Sequence, residues 1–183
     1  MPAGVEPARQ RQSAAARQAA REALRQAGCP QAADWPLPVR PGAAPLAPAG
    51  HALSLAHCAA AAVAAVSDAR WTTLGVDIEP WRPLPEEVVG LALASEAAAD
   101  PAATAAWGVA WFGAKECVHK ALHPLHGEWL EFDEVQVTPQ TDQRFTIQPR
   151  SALARRLLAG WQAEGRWLAH QGLCLSLWAL RRV

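Results

Sequence analysis

Between Cys29 and His51 the chain places Pro30, Pro36, Pro38, Pro41, Pro45 and Pro48. Each proline fixes φ and removes a backbone donor, so neither a helix nor a fully paired strand can run through this stretch. It is too long for a simple turn and reads as an extended connector or surface loop, which separates what folds before it from what folds after. Before it, residues 8–27 alternate Arg and Gln with alanine-rich steps around a single Leu24. That is strong helix propensity with a weak apolar stripe, and Gly28 supplies the stop.

After the connector, His51 to Leu55 suits a short strand. Cys58 to Val66 (CAAAAVAAV) fits a buried helix or a strand equally, because small residues on every side leave the period undecided. Thr73 to Ile78 is apolar and β-branched, a buried strand ending at Glu79-Pro80. Pro85-Glu86-Glu87 opens a helix running to about Ala99, and Asp100-Pro101 opens a longer one. The latter carries Trp107, Val109, Trp111, Cys117, Val118, Ala121 and Leu122 as its apolar surface until Pro124 ends it. Then the period changes. Phe132 to Thr138 and Arg144 to Gln148 alternate as half-exposed strands around a hairpin at Gln140-Thr141-Asp142. Residues 151–159 suit a helix, and the runs around Trp167 and from Leu173 to Leu180 suit closing strands.

Seventeen basic and seventeen acidic side chains cancel, so an anionic ligand must be held by a local cluster. Nine tryptophans without a basic stripe are core and lobe-interface residues rather than a base-stacking surface, and no nucleic-acid partner is expected. At 183 residues the chain suffices for one domain, or for two small lobes sharing a core. The 51% apolar content is inflated by alanine, and every apolar run is interrupted before the ~18 residues of a membrane span, so no membrane partner is expected. The amino end lacks signal-peptide order, and Cys29, Cys58, Cys117 and Cys174 are scattered without a C-x-x-C pair. Free thiols in a reducing cytoplasm are the expectation.

Two short segments could carry chemistry. Asp77 and Glu79 are two apart on a strand and so project from one face, the beginning of a divalent-cation site. On the long helix Glu116 and Lys120 are i,i+4 and share a face, with Lys115 roughly 100° round from Glu116. Taken singly, each has an ordinary alternative: strand-end acids facing solvent, or a surface ion pair. His119, His123 and His126 with Cys117 offer no zinc spacing, since Pro124 interrupts them and no second ligand pair exists.

Together the segments resemble a known family. Trp111-Phe112-Gly113-Ala114-Lys115-Glu116-Cys117-Val118-His119-Lys120-Ala121-Leu122 looks like the (W/F)-S-x-K-E-x-x-x-K-A signature of the 4′-phosphopantetheinyl transferases. Gly75-Val76-Asp77-Ile78-Glu79 looks like their G-(I/V)-D-(I/V)-E, in the same order and at similar separation. Pro48-Ala49-Gly50 with Ser54-Leu55-Ala56-His57 is similar to an upstream segment of the type related to enterobactin synthetase component D. The stretch Arg17 to Leu24 resembles that family's arginine helix.

The resemblance implies an α+β (α/β) fold of two pseudo-symmetric lobes, each a helix packed on a small antiparallel sheet, about 1–84 and 85–183, forming one unit over 1–183. The first lobe would be shortened at its start. It implies a cytoplasmic monomer that moves the 4′-phosphopantetheine arm of coenzyme A to a serine of an apo acyl or peptidyl carrier protein, releasing 3′,5′-ADP. Asp77, Glu79 and Glu116 would hold Mg2+, with Glu116 and Lys120 catalytic. Arg17, Arg40, His57, Asp77, Lys115 and Lys120 would meet coenzyme A. The chain departs from the pattern at Ala56 and Gly113, where the family has serine, and at Ala47. These departures support the rival expectation, a non-catalytic module that binds carrier proteins or coenzyme A.

Overall fold

The computed structural model describes residues 5–32, 34–38, 45–67, 70–140 and 142–183, with side chains from residue 10 onward. Arg40 and residues 33, 39 and 41–44 of the proline-rich connector lie outside the described residues. The elements run α1 (Val5–Gln26), β1 (Leu53–His57), β2 (Ala62–Val66), β3 (Thr73–Pro80), α2 (Glu86–Ala92), α3 (Ala94–Ala99), α4 (Pro101–His126), a 3-10 turn at Phe132–Glu134, β4 (Val135–Pro139), β5 (Arg144–Pro149), α5 (Ala152–Leu158), β6 (Trp161–His170) and β7 (Leu173–Arg182). The architecture is α+β.

The weak stripe of α1 is enough to pack it. Ala16, Ala20 and Leu24 recur every four residues and are all buried. Ala20 and Leu24 lie against Leu53, Leu55, Ala64 and Val66 of the antiparallel β1–β2 hairpin, with Trp35 and Leu37 of the connector closing the cluster. The undecided CAAAAVAAV run thus resolves as the hairpin turn and its second strand. Gly28 follows the helix with φ 75°, as expected.

The second sheet has order β3-β7-β6-β5-β4, every neighbour antiparallel. Strand β3 was expected in the first lobe, yet it pairs with β7 along its whole length, from Thr73 opposite Leu180 to Pro80 opposite Leu173. The boundary expected near residue 84 therefore does not coincide with a break in hydrogen bonding. Val76 and Ile78 turn toward the hairpin and pack with Ala56, Val63 and Ala65, while the Val76 N–H donates to Ser54 Oγ at 3.0 Å. Strand β3 is the seam between the lobes.

Helix α4 lies on the opposite face of β3. Asp100 caps it by accepting from the Ala103 N–H at 2.9 Å, and Pro101 occupies its first turn. Trp111, Ala114, Cys117, Val118, Ala121 and Leu122 bury the core with Val135, Val137, Phe145, Trp178 and Leu180. The crossing is close. A Cβ on Gly75 would lie 2.8 Å from Cys117 Cα and nearer still to its carbonyl. Only glycine lets the helix backbone settle this near to the strand.

Two expectations on helix limits are corrected. Helix α4 does not stop at Pro124 but continues to His126 and ends on Gly127 in the left-handed conformation, whose N–H reaches His123 O at 2.8 Å. A proline in the last turn removes a single intrahelical bond, and the capping glycine closes the rest. The helix expected from Pro85 to Ala99 is broken at Leu93, which is completely buried with φ −129°. The break leaves the Ala92 carbonyl free of its helical partner, and a lysine from α4 takes it, as described below.

Candidate active site

The residues of β3 that face α4 are Thr73, whose Oγ1 donates to Ala121 O at 2.9 Å, Gly75, Asp77 and Glu79. Asp77 is 4% exposed, and its Oδ1 lies 2.6 Å from Lys120 Nζ. Lys120 also sits 3.7 Å from Glu116 Oε2, one helical turn back. The structure thus brings together Asp77, Glu116 and Lys120, drawn from two segments that each had an ordinary reading alone. Glu79 joins them electrostatically. Its carboxyl is pushed up to about 7, first by burial and then by the Asp77 charge, against the pull of Lys120. Glu116 is raised by burial and by Asp77, with Lys120 opposing. Burial works to lower Lys120, but Asp77 and Glu116 outweigh it and raise the ammonium above its ordinary value.

Three carboxylates against one ammonium leave an excess of negative charge in a poorly solvated place. One atom is orphaned outright: Asp77 Oδ2 is buried with no hydrogen-bond partner. Such a site gains from a cation with a taste for oxygen. Among the described residues no three His, Cys, Asp or Glu side chains form a finished metal cage. Lys120 already occupies one oxygen of Asp77, and carboxylates without a bound cation repel one another. The donor chemistry nevertheless fits a divalent ion, with all oxygen ligands and the negative charge to match it.

Lys115, expected to meet coenzyme A, is engaged elsewhere in this structure. It is 1% exposed and points away from the acids into the bend between α2 and α3. Its Nζ donates to Ala92 O at 2.8 Å, Phe132 O at 2.9 Å and the Glu96 carboxylate at 2.9–3.1 Å. An ammonium has three hydrogens, and all three are used. Burial lowers its pKa, with Glu96 resisting. Sequence reasoning missed Glu96 altogether; an acid within Ala94-Ser95-Glu96-Ala97-Ala98-Ala99 resembles any solvated helix residue.

The first-lobe candidates stand apart from this cluster. Half-buried Arg17 donates to Leu37 O at 2.9 Å and Pro36 O at 3.4 Å, pinning the start of the connector to α1. His57 is exposed at the end of β1. Just beyond it lies a cleft of about 530 Å³ lined by Arg11, Gln12, Ala15 and Cys58 to Ala62. No hydrogen bond or ion pair joins Arg17 or His57 to the acidic cluster among the described residues. Ala56, where a hydroxyl was expected, is buried against Val76 and Ile78. Another missed residue is Ser176, opposite Asp77 on β7 and 1% exposed. A lone serine inside the apolar run LCLSLWAL was the available signal.

A helix laid across a strand thus brings acids from both together over one lysine. The comparisons make this specific. The family described as the 4′-phosphopantetheinyl transferase superfamily matches residues 73–171, and the 4′-phosphopantetheinyl transferase N-terminal domain matches residues 3–67. The 4′-phosphopantetheinyl transferase Svp of Streptomyces mobaraensis is 37% identical over 93% of this chain and 72% of its own. The 4′-phosphopantetheinyl transferase PptT of Mycobacterium tuberculosis is 35% identical over 87% of this chain and 74% of its own. A solved ACPS–CoA complex from Chronobacterium ammoniagenes aligns with a TM-score of 0.45 and 18% identity, covering 61% of this chain and 97% of that one, a likeness too slight to argue from. The chain belongs to the 4′-phosphopantetheinyl transferase superfamily and is a transferase.

Proposed function

We propose that the protein transfers 4′-phosphopantetheine from coenzyme A to a serine of an apo carrier protein, acyl or peptidyl, with Mg2+ bound by Asp77, Glu79 and Glu116. The observation that carries this reading is the junction of β3 and α4, where buried Asp77 and half-buried Glu116 meet over Lys120 beside an unsatisfied Asp77 oxygen. Magnesium at such a site would neutralise charge on the pyrophosphate. The serine hydroxyl attacks the β-phosphorus, the phosphorus–oxygen bond to the nucleotide breaks, and 3′,5′-ADP departs. Glu116 takes the serine proton; burial raises its pKa, which strengthens it as a base. Lys120, held between Asp77 and Glu116, presents a compact positive charge to the phosphates.

The nucleotide end falls to the first lobe. His57, Arg17 and the cleft lined by Arg11 offer hydrogen-bond donors for its phosphate. Lys115 has no part in this contact. The four cysteines are all free, in keeping with a cytoplasmic setting, and a monomer is sufficient for a site built from one chain. Among the described residues no helix is long and apolar enough to cross a membrane.

The test is mass spectrometry of an apo carrier protein incubated with this protein, coenzyme A and Mg2+. One phosphopantetheine should be added, and Asp77→Asn or Glu116→Gln should slow the addition by about 10²–10⁴-fold while leaving the fold intact. Full activity in Glu116→Gln would refute the assignment of the base.

A further inference from the structure

Around Gly113 of α4 the structure gathers two buried polar atoms that have no hydrogen-bond partner, Asp77 Oδ2 and Ser176 Oγ. The two residues are direct partners across β3 and β7. Both approach the same point of the helix. A Cβ on Gly113 would lie 2.8 Å from Ser176 Oγ, 3.3 Å from Ser176 Cβ and 3.4 Å from Asp77 Oδ2. The missing side chain of Gly113 is therefore the space that Ser176 occupies.

An orphaned hydroxyl and an orphaned carboxylate oxygen are complementary, one able to donate and the other only to accept. The competing neighbour is the Cys174 thiol, two residues earlier on the same face of β7. The Ser176 hydroxyl counteracts the upward push of burial on that thiol. Sulfur is a weak acceptor, and an ionised carboxylate is the stronger claimant on the proton.

Resting on the proposed function, we infer that Ser176 is a positioning residue: its hydroxyl donates to Asp77 Oδ2 and so aims Oδ1 into the site. Gly113 is the condition for this arrangement, because any larger residue would push Ser176 off the carboxylate. The hydroxyl that the sequence pattern places at position 113 of the helix is here delivered from the sheet instead. A carboxylate held from behind binds a cation in one orientation, and losing such an outer partner typically weakens metal affinity by about 10–100-fold.

The experiment is Mn2+ binding to the full chain in the presence of coenzyme A, followed by electron paramagnetic resonance, with thermal melting of the metal-free protein alongside. Ser176→Ala should weaken Mn2+ binding by about tenfold or more and lower the metal-free melting temperature by no more than the loss of a single hydrogen bond would. The double variant Gly113→Ser with Ser176→Ala, which returns a hydroxyl from the helix side, should recover most of the affinity. Parent-like Mn2+ binding by Ser176→Ala would overturn the role of Ser176 while leaving the transferase reading intact. Failure of the parent protein itself to bind Mn2+ would overturn the metal assignment, and this inference with it.

Discussion

Replacing Lys115 and Glu96 singly and together separates a strut from a phosphate contact. Both side chains are almost completely buried and 2.9 Å apart. Removing one partner strands the other's charge, at a cost of about 3–5 kcal/mol. Lys115→Met also frees the Ala92 and Phe132 carbonyls, each worth about 1–3 kcal/mol if left unsatisfied. Replacing both by methionine removes both charges and leaves those carbonyls and the Val137 N–H, which donates to Glu96 Oε1 at 3.4 Å. The double variant should therefore be more stable than Lys115→Met, with a coupling on the order of 3 kcal/mol. With a urea m-value of about 2 kcal/mol/M, the stranded charge alone lowers the unfolding midpoint by roughly 2 M, and Lys115→Met lowers it further through its two freed carbonyls. Transfer activity at a temperature where the double variant is folded gives the second reading. Because no hydrogen on Lys115 Nζ is left for a ligand, kcat/KM should stay within about threefold of the parent. A stable double variant with a KM for coenzyme A raised a hundredfold would refute the reasoning and restore Lys115 to the phosphates.

Acid should destabilise the protein through His119. This imidazole stacks on Phe132 and meets Trp129 edge-on, and burial, helped by the Lys115 charge, lowers its pKa from 6.5 to about 4. The folded state keeps it neutral while the unfolded chain takes a proton near 6.5, so the contribution is complete above 6.5 and is lost as pH falls toward 4. The difference in unfolding free energy between the parent and His119→Phe should change by roughly 3 kcal/mol over that window; parallel pH curves would contradict it. Gly75→Ala should lower stability by ~3 kcal/mol or more, because its methyl meets the Cys117 backbone rather than a yielding side chain. Chemical denaturation measures this, and a parent-like midpoint would mean that α4 can lift off β3 freely.

Much of the layout is legible along the chain because local chemistry and tertiary need agree there. Asp100-Pro101 starts α4 as its capping chemistry demands, Gly28 ends α1, and alternation in the second half marks its strands. Asp77 and Glu116 were identified because each sits in a recognisable run, and the fold joins them over Lys120. The misses have one physical source, the needs of side chains remote in sequence. Leu93 breaks a good helix because its side chain is drawn into the core and the Ala92 carbonyl is claimed by Lys115, on another helix. Nothing near Ala92 announces that. Glu96 and Ser176 read as ordinary polar residues until packing closes over them, and Lys115 reads as a surface cation until its three acceptors are seen together.

The neighbouring residues Lys115 and Glu116 leave α4 roughly 100° apart, one locked into the bend between α2 and α3, the other beside Lys120 and the Asp77 carboxylate. A single-residue insertion between Pro101 and Lys115 would turn everything after it by roughly 100° relative to the helix start. It could not be absorbed by sliding, since Gly75 admits only the backbone at Cys117. The helix is thus indexed at both sides like a key in a lock, and length changes in this family of chains should collect in the connectors rather than within it.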